Sequence, residues 1–109
     1  MGNLLPVTAT FSGFADPRCV AIAPDQSFAL VTNYGTSVVS RIDLRRRGGG
    51  GVSNGAVTHA YSGFRNPWGV AISPDGRFAL VGNSNGNNVG YIDLKTGQVS
   101  FPCVRRRDG

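Results

Sequence analysis

Apolar positions along this chain come in short bursts separated by turn-forming residues. "CVAIA" (19–23) starts just after one proline and stops at another, and "GVAIS" (69–73) repeats the arrangement fifty residues later. The second proline opens "PDQS" or "PDGR", a tight turn with Pro at its second position and Asp next. Beyond it, "FALVTN" (28–33) and "FALVGN" (78–83) each carry four consecutive apolar residues, the pattern of a strand covered on both faces. Each therefore reads as a central strand. A polar loop, "NYGTS" or "NSNGN", leads to a third strand, "VVSRIDL" (38–44) or "VGYIDL" (89–94), rich in β-branched residues in the first copy. A fourth follows a Gly turn. It is "KTGQVSF" (95–101) in the second copy and "SNGAVTHAY" (53–61) in the first, where an eight-residue insertion delays it.

The two runs are copies of one unit. From Phe11–Leu44 against Tyr61–Leu94, 18 of 34 aligned positions are identical. A repeat of this length is one supersecondary unit that cannot bury its apolar faces alone. The N-terminal "PVTATF" adds a lone strand, because Val7, Thr8 and Phe11 stand where Val57, Thr58 and Tyr61 stand. The predicted organisation is one all-β segment over 1–109. Blade 1 covers 11–60 with an Arg/Gly-rich insertion in 45–53, blade 2 covers 61–103, and a basic tail follows over 104–109.

Four short antiparallel strands in a repeat of roughly 40–50 residues is the arithmetic of a β-propeller blade. The stretch "NPWGVAISPDGRFALVGN…NNVGYIDLKTGQV" resembles the NHL and YVTN class of propeller repeat. That class carries Pro-x-Gly-Val-Ala, then Ser-Pro-Asp-Gly, then an aliphatic strand ending near Asn, then a strand ending in Ile-Asp. "LVTN" in the first copy leans toward the YVTN form. The first copy departs from the pattern at Cys19 and Gln26, where glycines are expected. The resemblance implies a partial propeller and leaves function open, since members bind proteins, RNA or small molecules and some are lyases or lactonases. A propeller closes with about four to eight blades. Two blades leave an apolar face open on each outer side. Either further blades of a longer chain cover those faces or identical chains associate, and three copies would make six blades.

Sixteen glycines and six prolines fit an all-β chain with many turns. No apolar stretch is long enough to span a membrane, and "MGNLLPVTAT" has no signal-peptide pattern, so compartment is left unassigned. The formal charge of +5 is concentrated in two tags, Arg45, Arg46, Arg47 and Arg105, Arg106, Arg107; the rest carries five basic and six acidic residues. The tags read as solvated loops, with nucleic-acid contact as the alternative role.

Candidate chemistry is sparse, and the expectation is a non-enzymatic chain without cofactor or metal. The single histidine, His59, falls on an outer strand with no second ligand at metal spacing. Asp43 and Asp93, and Asp25 and Asp75, recur at equivalent places, as structural strand-end and turn residues do. Cys19 and Cys103 fall at opposite edges of their blades, too far apart for a disulfide within one blade.

What remains is a surface. The loops "SGFADPR" with "NYGTS", and "SGFRNPW" with "NSNGN", open on the usual ligand face of a propeller. Aromatic and Arg side chains are frequent interface anchors. The candidates for binding a protein partner are therefore Arg18, Trp68, Tyr34 and Arg65, with Asn33, Asn83 and Asn85 beside them. Packing of Trp68 and Phe64 between blades is an equal alternative. Repeated Phe14 and Phe64, Phe28 and Phe78 are expected in the core. The favoured function is an interaction or scaffolding module. RNA binding through the Arg-rich loops and a fragment of a lyase- or lactonase-like propeller are the alternatives.

Overall fold

The computed structural model describes residues 10–44 and 57–102. Residues 6–9 of the expected N-terminal strand, the Arg/Gly insertion, Cys103 and the basic tail lie outside the described residues, and Thr10 and Phe11 lie in no strand. Among the described residues there are eight strands and no helix: β1 (Pro17–Ile22), β2 (Phe28–Asn33), β3 (Val38–Asp43), β4 (Val57–Tyr61), β5 (Pro67–Ile72), β6 (Phe78–Asn83), β7 (Asn88–Asp93) and β8 (Val99–Ser100). They make two antiparallel meanders, β1-β2-β3-β4 and β5-β6-β7-β8, which are the two four-stranded blades the repeat predicts.

Turn chemistry fixes the β1–β2 and β5–β6 corners. In the first, the Asp25 carboxylate accepts from the Ser27 amide at 3.0 Å and from its hydroxyl at 2.7 Å. In the second, Asp75 accepts from the Arg77 amide at 3.1 Å and the Ser73 hydroxyl at 2.6 Å. The fourth residue of each turn is left-handed, with φ of 66° at Gln26 and 72° at Gly76. Asp93 closes the β7–β8 turn by accepting from the amides of Lys95 and Thr96.

Side chains alternate across each blade, so every blade has two faces. On blade 1, Phe28, Leu30 and Thr32 share a face with Val39, which pairs with Thr32. On blade 2, Ala79 and Val81 share the opposite face with Ile92, paired with Ala79. These two faces meet. Leu30 and Val39 join Ala79, Val81 and Ile92 in one buried cluster, with Val70, Ile72 and Val99 packed on it. β5 lies against β1 and β2 along this seam. Burying a Leu, Val or Ile side chain contributes about 1.5–3 kcal/mol, so the seam is the main apolar core of the pair.

The central-strand expectation holds differently in the two copies. β2 is buried at all six positions, whereas β6 is exposed at Leu80. Phe28 and Phe64 are buried as expected, while Phe14 and Phe78 are half-buried. Strands β1 and β5 begin at Pro17 and Pro67, two residues before the expected start, because each contains a bulge just after its proline.

Candidate interaction face

The bulges decide where the candidate side chains go. Register slips between Pro17 and Cys19 in β1 and between Pro67 and Val70 in β5. An extra residue in an innermost strand re-aims the side chain it carries. Arg18 and Trp68 sit at these two bulges.

Each bulged strand is entered by a loop zipped to the following β2–β3 or β6–β7 loop. Tyr34 and Gly35 donate their amides to the carbonyls of Asp16 and Ala15, both at 3.1 Å. Ser84 and Asn85 repeat this with Asn66 and Arg65, both at 3.2 Å. Asp16 and Asn66 are left-handed, with φ of 52° and 51°. Among non-Gly residues, Asn and Asp tolerate that region best.

Asn33 and Asn83 hold these loops from within. Both are buried. The Asn33 side-chain Oδ1 accepts from the Ala15 amide at 3.2 Å, and its Nδ2 donates to the Val38 carbonyl at 3.1 Å and to Ser40 Oγ at 2.9 Å. Asn83 accepts from the Arg65 amide and donates to Asn88 Oδ1 at 2.8 Å. Their polar atoms are thus spent on positioning loops. Asn85 is exposed and donates to Asn66 Oδ1.

Arg18, Tyr34 and Trp68 come together across the seam. The Arg18 guanidinium lies 4.4 Å from the Tyr34 ring centroid and 4.5 Å from that of Trp68. Tyr34 and Trp68 meet edge to face at 5.7 Å and 86°. Asp16 fixes the guanidinium with two bonds, Nε to Oδ1 and Nη2 to Oδ2, both 3.0 Å. Those bonds raise the Arg18 pKa above its ordinary value, so the group stays cationic. Two adjacent bonds tie the loops of one blade to the other: Asn66 Nδ2 donates to the Tyr34 carbonyl at 2.9 Å, and the Asn66 amide to Ser37 Oγ at 3.0 Å. Asn66 and Ser37 were not among the sequence candidates. Their signal is indirect, since Asn66 is the counterpart of Asp16 but spends its side chain across the seam.

Trp68 is half exposed and borders an open, mainly apolar groove of about 450 Å³, lined also by Gly82, Asn83, Ser84 and Val89. Arg65 lies apart from the Arg18 cluster, on a cleft of about 240 Å³ with Phe101, Asn88 and Gly86. Phe64 is committed to packing, edge to face on Phe101 at 5.6 Å.

His59 is exposed on β4, stacked on Tyr61 with ring centroids 6.1 Å apart. Among the described residues, no three His, Cys, Asp or Glu side chains gather at metal-binding distance. Cys19 is a free thiol, with its sulfur 4.0 Å from the Val70 carbonyl. The six tag arginines lie outside the described residues.

No family model matches the chain. No curated protein matches it either. Solved structures do. Hydrazine synthase from Kuenenia stuttgartiensis aligns over 91% of this chain at 21% identity with a TM-score of 0.68. A protein of unknown function from Desulfotomaculum acetoxidans aligns over 84% at 21% identity and 0.65. A 6-phosphogluconolactonase-like protein from Bacteroides uniformis aligns over 91% at 17% identity and 0.66. The chain spans 26%, 27% and 32% of these structures. At such identities the likeness is one of fold, and the fold is propeller-type.

Proposed function

We propose that this chain is a non-catalytic propeller module of NHL/YVTN-type repeats that binds a protein partner through its loop face. The observation that carries this reading is the Arg18–Tyr34–Trp68 cluster. Two aromatic rings and a fixed cation, drawn from both blades, are gathered on the loop side, and Trp68 among them also borders an apolar groove. Such groups are the commonest energetic anchors of protein interfaces, and here bulges and a bidentate ion pair hold them in place before any partner arrives. The experiment is affinity capture from a lysate of the source organism with the tagged chain, run beside Arg18→Ala and Trp68→Ala. The reading expects a protein retained by the wild type and lost, at least about tenfold, with either substitution. Retention of the same protein by both variants overturns it.

The charge balance favours RNA as a second reading. Binding carried by phosphate contacts would weaken steeply with salt. Fluorescence anisotropy of a labelled single-stranded RNA between 50 and 200 mM salt tests it, and a salt-independent or undetectable signal removes it.

A further inference from the structure

The seam inside this molecule is a template for the two faces it leaves uncovered. Leu30 and Val39 of blade 1 are fully buried, whereas their counterparts Leu80 and Val89 are 43% and 51% exposed. Conversely, Val70 and Ile72 pack on the core, while their counterparts Val20 and Ile22 are 60% and 61% exposed. The chain therefore carries one uncovered face of each kind, at opposite ends of the pair. The apolar side chains that make the covered seam are identical in the two copies, Leu30 with Leu80 and Val39 with Val89 on one side, Val70 with Val20 and Ile72 with Ile22 on the other. Both halves of the lock are thus present, open at Leu80 and Val89 on one face and at Val20 and Ile22 on the other, where Ala29, Val31 and Ile42 beside them are already buried.

We propose that these two faces mate between copies of this chain: a second copy seats its first blade on the outer face of blade 2, head to tail. This deepens the scaffolding reading and rests on it. The loop face supports the same pairing. Arg18 and Trp68 hold equivalent bulge positions and already touch across the covered seam. Repeating that seam brings the second copy's Arg18 to Trp68, so the same cation–aromatic contact recurs with its two partners exchanged. The polar ties differ: Asp16, Ser84 and Asn87 stand where the covered seam has Asn66, Tyr34 and Ser37. Thr32 donates to the Trp68 carbonyl at 2.7 Å in the covered seam, and Gly82 stands in its place on the open face. A head-to-tail contact is heterologous and ends when a ring closes. With two blades per chain, two to four copies give the four to eight blades of a closed propeller.

The test is the solution mass of the purified chain by light scattering, with no partner added. Leu80→Glu blocks one face and Ile22→Glu the other; both sites are exposed in the single chain, and far-UV circular dichroism checks that each variant keeps its β signal. The proposal expects a discrete mass of two to four chains for the wild type and a monomer for each variant. An equimolar mixture of the two variants, which leaves one good seam, is expected to give a dimer and nothing larger. A wild-type monomer, a mass that neither substitution changes, or a mixture that stays monomeric overturns it. Partner capture repeated with Ile22→Glu, which leaves Arg18, Tyr34, Trp68 and the groove unchanged, separates the two readings: a monomer that still captures the partner shows partner binding without assembly.

Discussion

Residue by residue, the two copies are an internal control, because the same backbone carries different side chains. Gln26 and Gly76 occupy one left-handed turn position, yet only glycine sits there without a steric cost. A Cβ at Gly76 would meet only Pro24 Cδ at 3.8 Å, so the cost lies in the backbone rather than in crowding. Gln26→Gly is expected to stabilise the fold by about 0.5–1 kcal/mol, seen as a rise of about 2–6 °C in melting temperature. An unchanged or lower melting temperature would show that the turn is relaxed with Gln. The neighbouring aspartates carry a pH signature. Hydrogen bonds from the Ser27 hydroxyl and amide hold Asp25 below the ordinary carboxylate range, and those from the Ser73 hydroxyl and the Arg77 amide do the same for Asp75. A depressed pKa contributes stability that is fully present above the unfolded value, about 3.9, and is lost as pH falls through the lowered one. Ser73→Ala, which copies Ala23 of blade 1, should therefore flatten the fall in melting temperature between pH 5 and pH 2. An acid limb identical to that of the wild type would remove the Ser73 hydroxyl as the cause.

At the scale of elements, β7 passes under two aromatic rings at its only glycine. A Cβ on Gly90 would stand 2.6 Å from Phe64 Cε1 and 2.9 Å from Phe101 Cε1. Gly90→Ala is expected to cost about 1–3 kcal/mol by overpacking, measured as a shift in denaturant midpoint. Blade 1 has Ser40 at the same place, buried and bonded to Asn33. The strand list was legible in the sequence because burst, turn and burst are local signals. The bulges at Arg18 and Trp68 were not, since register depends on the paired strand. Repeat equivalence likewise located Asn33 and Asn83 beside the site but could not say which way they point; both turn inward. It grouped Arg65 with Arg18, whereas the structure sets Arg65 apart, on the cleft it shares with Phe101. The contact of Arg18 with Tyr34 and Trp68 needed the second blade in place, which no single strand pattern encodes.

At the scale of the molecule, the two repeats share one apolar core. The buried cluster of the described residues draws Leu30 and Val39 from one blade and Val81 and Ile92 from the other. Hydrogen exchange should follow that geometry. Amides of β2 and β3, each paired on both sides with β2 wholly buried, are expected to exchange at least about tenfold more slowly than those of the exposed edge strand β4. Equal protection across blade 1 would contradict a core centred on the seam. The "FALV" motif promised two covered faces in both copies, and only β2 receives them: blade 2 covers its Leu30 face and Ala29 and Val31 on the other face are buried too, whereas Leu80 of β6 stands exposed.

A core that lies between two blades also has a history during synthesis. When the ribosome has released β1 to β4, Leu30 and Val39 have no counterpart, and the first blade waits with its better apolar face open. At about 5–20 residues per second, the forty or so residues of the second blade take roughly two to eight seconds to appear. For that interval the nascent chain is a sticky half, and its exposure to chaperones or to wrong partners is set by translation speed.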